Sequence, residues 1–179
     1  MKKLIVLVAV CLSSVVMMGQ TTEDIQLPEF KHSIGFDAGG SNGYGFSYRY
    51  WPGKWGVQVN TFPYITPKTY DVSFGVSLLH TLYESQKIRF YLYYGNHIML
   101  EKYEDYTYYV YDGYYGNDDP YQTNYKKENT WVTGLGPGFE FFFASRLALN
   151  LRFGLGYYFH NSNDWALQPD GGIGLVFRF

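Results

Sequence analysis

Apolar and polar residues alternate along most of this chain with a period of two, the spacing of a β-strand with one apolar and one wet face. Eight such stretches follow one another. Ile34, Phe36 and Ala38 alternate with Gly35 and Asp37; Tyr44, Phe46, Tyr48 and Tyr50 with Gly45, Ser47 and Arg49. Trp55, Val57, Val59 and Thr61 alternate with Gly56, Gln58 and Asn60; Tyr70, Val72, Phe74, Val76 and Leu78 with Asp71, Ser73, Gly75 and Ser77. In the second half Ile88, Phe90, Leu92 and Tyr94 face away from Arg89, Tyr91, Tyr93 and Gly95, and Thr133, Leu135, Pro137, Phe139 and Phe141 from Gly134, Gly136, Gly138 and Glu140. Leu147, Leu149, Leu151, Phe153, Leu155 and Tyr157 face away from Asn150, Arg152, Gly154 and Gly156. The eighth stretch, GGIGLVFRF, keeps Ile173, Leu175, Phe177 and Phe179 on one face up to the last residue. Eight strands of about ten residues are what a small transmembrane barrel requires.

The connections alternate in length. PGK, YESQK and ASR are short; between them lie GGSN, PYITPK, a stretch of residues 102–128, and roughly HNSNDWALQP. Short turns on one side and longer loops on the other predict a barrel with both termini at the short-turn, periplasmic end. The aromatics fall into two bands. Tyr50, Trp51, Trp55, Tyr83, Phe141, Phe177 and Phe179 mark the short-turn strand ends, and Tyr44, Tyr70, Tyr94, Trp131 and Tyr157 the other ends. Amphipathic rings are favoured at both membrane–water interfaces. Pro137 is the one residue at odds with its strand, because it cannot donate to a ladder.

A closed sheet has no edge, so the last strand must pair with the first and stay apolar outside to its end. Phe177 and Phe179, with apolar residues at every second position, resemble the C-terminal signature of proteins folded by the outer-membrane assembly machinery. In strand count, loop polarity and ending, the chain resembles the small eight-stranded outer-membrane barrels of the OmpA/OmpX type. The resemblance implies an all-β, eight-stranded antiparallel transmembrane barrel with up-and-down meander order. It further implies the outer membrane of a Gram-negative cell, with lipid bilayer and lipopolysaccharide around the barrel and the assembly machinery as a folding partner. It implies no activity.

The first residues change the picture of the mature chain. Lys2 and Lys3 precede the apolar run Leu4 to Met18, and Gly19 before Gln20 is a plausible cleavage point, which predicts a signal peptide over 1–19. Residues 20–31 are then a periplasmic N-terminal segment, and 32–179 the barrel. Cys11, the only cysteine, lies in the leader, so no disulfide is expected. Removing Lys2 and Lys3 from 14 basic residues leaves 12 against 16 acids, a charge of −4. Nothing there marks a nucleic-acid partner. Aromatics make up 21% of the chain, yet its mean hydropathy is slightly negative, as interleaved faces require.

An eight-stranded barrel is only wide enough to be filled by its own side chains, so a general diffusion pore is not expected. The inward positions include Asp37, Arg49, Gln58, Arg89, Glu140, Asn150, Arg152 and Arg178. Asp37 and Glu140 are predicted to pair with some of the arginines, since an uncompensated buried charge costs several kcal/mol. Four arginines against two acids leave an excess of positive charge, to be met by water or a periplasmic anion. The inward glycines suit a narrow, strongly curved barrel.

Two stretches could carry more. In FHNSND, Phe159 to Asp164, His160, Ser162 and Asn163 resemble the His-x-Ser-Asn motif of outer-membrane lipid A 3-O-deacylases, which would make Ser162 a nucleophile, His160 its base and Asn163 an oxyanion group. The acid that orients the His in that family has no counterpart near Gly174, leaving Asp164 or Asp170. Strand parity also puts His160 and Ser162 on the lumen side, away from lipid. The second stretch, residues 102–128, holds nine Tyr and six acids. Tyrosine gives stiff contact area with a polar tip, which makes Tyr106, Tyr108, Tyr109, Tyr111, Tyr114 and Tyr115 candidates for binding a surface glycan or protein. The alternation of Tyr106, Tyr108 and Val110 suggests that strands five and six continue there as a hairpin. Asp112, Asp118 and Asp119 lack the spacing of an EF-hand loop. His32, His80, His97 and His160 have no metal-ligand spacing, and no cofactor or metal is expected. The expected role is non-enzymatic, structural or surface-interacting; a deacylase and a small ligand-binding or transport-associated barrel are the alternatives. A soluble carrier barrel would require the opposite facing, with apolar residues inside.

Overall fold

Each stretch of alternation becomes a strand in the computed structural model, which describes residues 30–108, 121–160 and 164–179. They are β1 (His32–Gly39), β2 (Gly43–Tyr50), β3 (Trp55–Ile65), β4 (Tyr70–Glu84), β5 (Ile88–Tyr108), β6 (Tyr121–Phe142), β7 (Leu147–His160) and β8 (Trp165–Arg178). Neighbours in sequence pair antiparallel in meander order and the sheet closes into a barrel. Closure is the pairing of β1 with β8, from Ser33↔Arg178 to Gly39↔Gly172. The backbone N–H groups of His32 and Phe179 donate to each other's carbonyls at 3.1 and 2.9 Å, so the terminal Phe is held in the ladder. The predicted leader 1–19, and the N-terminal segment up to residue 29, lie outside the described residues.

Facing follows the alternation. Phe36 is 61% exposed while its neighbour Asp37 is 3% exposed. Ile34, Phe46, Val57, Leu78, Leu135, Leu155, Ile173 and Leu175 all point outward. This is the side-chain arrangement of a transmembrane barrel, and the reverse of a soluble carrier.

Local features adjust the pattern. Trp51 leaves the aromatic band: it follows the last residue of β2 and its side chain turns into the barrel mouth over Gly56, edge-on to Tyr91 at 5.8 Å. The residues Trp165 to Pro169, expected in a connection, belong to β8, and Trp165 stacks on Tyr157 at 5.3 Å. Pro63 to Ile65 likewise extend β3, and Thr66 and Thr69 close that hairpin with mutual hydrogen bonds. Pro137 is accommodated by a gap: the β6–β7 ladder is interrupted between Leu135 and Gly138 while the β5 side runs on through Leu92↔Pro137. A register shift between Thr81 and Tyr83 turns Glu84 inward after Tyr83 has faced out, as bulges commonly re-aim a side chain.

Candidate functional site

The lumen is organised around one carboxylate. Asp37 of β1 accepts from Arg49 Nη2 of β2 at 2.6 Å, from Asn42 Nδ2 at 2.6 Å, from Asn150 Nδ2 at 3.3 Å and from the Arg152 guanidinium. Glu140 of β6 accepts from Arg89 Nη1 at 2.9 Å and Arg49 Nη1 at 3.4 Å, and Arg89 Nη2 reaches Glu84 Oε1 at 2.6 Å. Gln58 receives Arg152 Nη1 at 3.1 Å and donates to Ser47 and Asn60. Arg49, Gln58, Glu140 and Asn150 are fully buried. Guanidinium forks suit this role because each can bridge two carboxylates in fixed geometry. Below the network Trp51, Leu79, Tyr91 and Tyr93 form an apolar cluster, with the Arg89 guanidinium 4.4 Å from the Trp51 ring.

The whole inward set of Asp37, Arg49, Gln58, Arg89, Glu140, Asn150, Arg152 and Arg178 is therefore buried in one lumen. Arg178 packs on Phe142, its Cζ 3.9 Å from the ring centre, and pairs with no carboxylate among the described residues. Two acids were missed by sequence reading. Glu84 enters through the bulge, and Asp170 is buried because β8 begins earlier than expected.

Asp170 holds the second feature invisible to periodicity. The β1–β2 connection, Gly40 to Asn42, folds into the lumen: Ser41 and Asn42 are fully buried. Ser41 N donates to Asp170 Oδ1 at 3.0 Å, Ser41 Oγ to Oδ2, and Tyr93 OH also to Oδ2 at 2.8 Å. His97 donates from Nδ1 to the Gly40 carbonyl at 2.8 Å, and its Nε2 accepts from Ser73 Oγ at 2.9 Å. Asn60 Nδ2 donates to the Asn42 carbonyl at 2.8 Å. The glycines opposite make the room. A Cβ on Gly75 would stand 2.0 Å from the Asn42 carbonyl oxygen, and one on Gly95 or Gly134 2.7 Å from Ser41. Gly43 and Gly45, with φ of 74° and 110°, let the chain leave the lumen and start β2. Lumen glycine thus reflects this inserted loop as well as barrel curvature. Gly75→Ala is expected to cost about 1–3 kcal/mol as overpacking. It should also make a Ser41→Cys thiol, buried in the parent, reactive to maleimide; an inert thiol would show that the loop stays in place.

Beyond the same end of the barrel β5 and β6 stay paired out to Tyr108↔Tyr121, so much of 102–128 is strand, not loop. On its faces Tyr103 OH donates to Glu128 at 2.9 Å, Lys126 pairs with Glu128 at 2.7 Å, and Lys102 Nζ sits 4.4 Å from the Tyr125 ring. The hydrogen bond from Lys126 holds the Glu128 carboxyl below its ordinary range. Tyr106 and Tyr108 belong to β5; Tyr109, Tyr111, Tyr114 and Tyr115 lie outside the described residues.

His160 ends β7 beside Thr130, whose Oγ1 lies 3.1 Å from its Nδ1. Ser162 and Asn163 lie outside the described residues, and Asp170 is engaged by Ser41 and Tyr93. Among the described residues no group of His, Cys, Asp or Glu is placed to hold a metal ion.

No protein-family model matches the sequence, and no curated protein matches it. Among solved structures the chain is similar to the N-terminal β-barrel domain of Pseudomonas aeruginosa OprF, at 11% identity and TM-score 0.45, covering 83% of this chain and 95% of that one. A major outer membrane protein from Thermus thermophilus aligns at 14% identity and TM-score 0.48, covering 85% and 100%. Neisserial surface protein A aligns at 15% identity and TM-score 0.42, covering 83% and 97%.

Proposed function

We propose that the protein is an integral outer-membrane barrel with a structural or cell-surface interaction role, non-catalytic and without a general diffusion pore. The observation that carries this reading is the combination of a closed sheet, an apolar outer face and a lumen filled by ion pairs and an inserted loop. An apolar band of that kind suits a hydrocarbon surround, and the filled lumen argues against a diffusion route. The interaction role is assigned to the β5–β6 hairpin, which rises beyond the lumen and displays Tyr103, Tyr125, Lys126 and Lys127 to solvent. The hairpin would face outward from the cell and the short turns the periplasm.

The predicted leader carries the sequence's only cysteine, so introduced thiols report position cleanly. Lys126→Cys is expected to react with a membrane-impermeant maleimide in intact cells, and Ser145→Cys, in the β6–β7 turn, only after the outer membrane is permeabilised. The reverse pattern would invert the orientation, and equal labelling of both sites in a soluble fraction would remove the membrane reading.

A further inference from the structure

The lumen arginines are not compensated evenly. Arg49, Arg89 and Arg152 share the carboxylates of Asp37, Glu84 and Glu140. Asp170 is engaged by Ser41 and Tyr93. Among the described residues no carboxylate pairs with Arg178, although it is only 6% exposed. Its guanidinium instead packs on aromatic rings, 3.9 Å from the centre of Phe142 and 5.3 Å from that of Phe30. A guanidinium stacked in this way keeps its in-plane N–H donors for a planar, bidentate acceptor.

Those donors lie at a cavity. At the short-turn mouth of the barrel a space of about 260 Å³ is lined by Phe30, Phe142 and Phe143, with Gln86, Lys87, Ser145 and Arg178 as polar members. Its elements are the β4–β5 turn, the β6–β7 turn, Phe30 ahead of β1 and the end of β8. One buried arginine, one exposed lysine and three phenylalanines match a monoanion with an apolar body. A doubly charged phosphate is more strongly hydrated, and the three phenylalanines of the lining offer it no hydrogen bond.

We propose that this mouth pocket binds a carboxylate attached to a small apolar or aromatic group, with Arg178 gripping the carboxylate through its fork, Lys87 adding charge at the rim and the phenylalanines covering the body. The bound carboxylate gives Arg178 the direct ion-pair partner it lacks among the described residues. That the pocket opens to the periplasm rests on the orientation proposed above; the binding itself does not.

The test uses the mature full-length barrel in detergent micelles, with 4-fluorobenzoate as the probe followed by fluorine NMR. Saturable binding is expected, displaced by benzoate and not by benzyl alcohol. Arg178→Lys, which keeps the charge and loses the planar fork, should weaken it at least tenfold, and Lys87→Gln two- to fivefold. Equal displacement by benzyl alcohol, a linear uptake into micelles, or unchanged affinity in Arg178→Lys would overturn the proposal. If Arg178→Lys does not fold, Ser145→Glu on the exposed turn substitutes for it: a negative charge at the mouth should abolish binding, and unchanged affinity sinks the site. Because the titration needs no membrane sidedness, its failure is distinct from failure of the maleimide labelling.

Discussion

Asp37→Ala is expected to destabilise the barrel by about 3–5 kcal/mol, the cost of removing one partner from a buried ion pair. Asp37 receives Arg49, Arg152, Asn42 and Asn150 at once, so its loss leaves two fully desolvated guanidinium groups without their main acceptor. It also frees Asn42, one of the anchors of the inserted loop. Glu140→Ala should cost less, because Arg89 retains Glu84 and Arg49 retains Asp37. The comparison separates a hub from a member. Urea unfolding in lipid vesicles, followed by tryptophan fluorescence, measures both, and an Asp37→Ala midpoint at or above that of Glu140→Ala would remove Asp37 from the centre of the network.

The second large effect lies on the outer face. Ile173→Arg, at a 55% exposed position within β8, is expected to cost about 2–4 kcal/mol in a bilayer, whereas Leu167→Arg, nearer the strand end, should cost about 0–1 kcal/mol. The reason is depth. A guanidinium near the bilayer midplane has no water, whereas one near the interface reaches the headgroups. On a soluble protein both substitutions would be exposed surface changes within about 0.5 kcal/mol of neutral. Equal, small effects at the two sites in lipid vesicles would therefore contradict membrane insertion more directly than any fractionation.

Comparison of sequence and structure separates two kinds of information. The strand faces were legible because alternation is local: within a pleated strand, residue i dictates the side of i+2 whatever the rest of the chain does. From that alone came the eight strands, the outward Ile34, Phe36, Leu175 and Phe177, the inward Asp37, Arg49, Glu140 and Arg152, and the need for β8 to close on β1. The hairpin suggested by Tyr106 and Tyr108 was legible for the same reason. Where the backbone leaves the regular pleat, parity stops informing. Trp51 follows the last residue of β2 and turns inward, and Glu84 follows a bulge, so neither side was readable.

The tertiary structure alone decided what fills the barrel. Ser41 and Asn42 looked like a polar turn, Gly75, Gly95 and Gly134 like relief for curvature, His97 like a histidine without metal-ligand spacing, and Asp170 like a possible partner for His160. They meet only because a three-residue connection from one wall enters the space that glycines on three other strands leave open, and finds there an acid, a histidine and an asparagine to satisfy its backbone. The charge balance was settled in the same way. Counting inward residues along the strands yields an excess of arginine, and only the closed barrel shows that Glu84 and Asp170 bring the acids level with the four arginines while Arg178 is left without a paired carboxylate among the described residues. Alternation determines which side of a sheet each residue takes, whereas which side chains share the enclosed volume depends on register, turn direction and the room left by residues far apart in the chain.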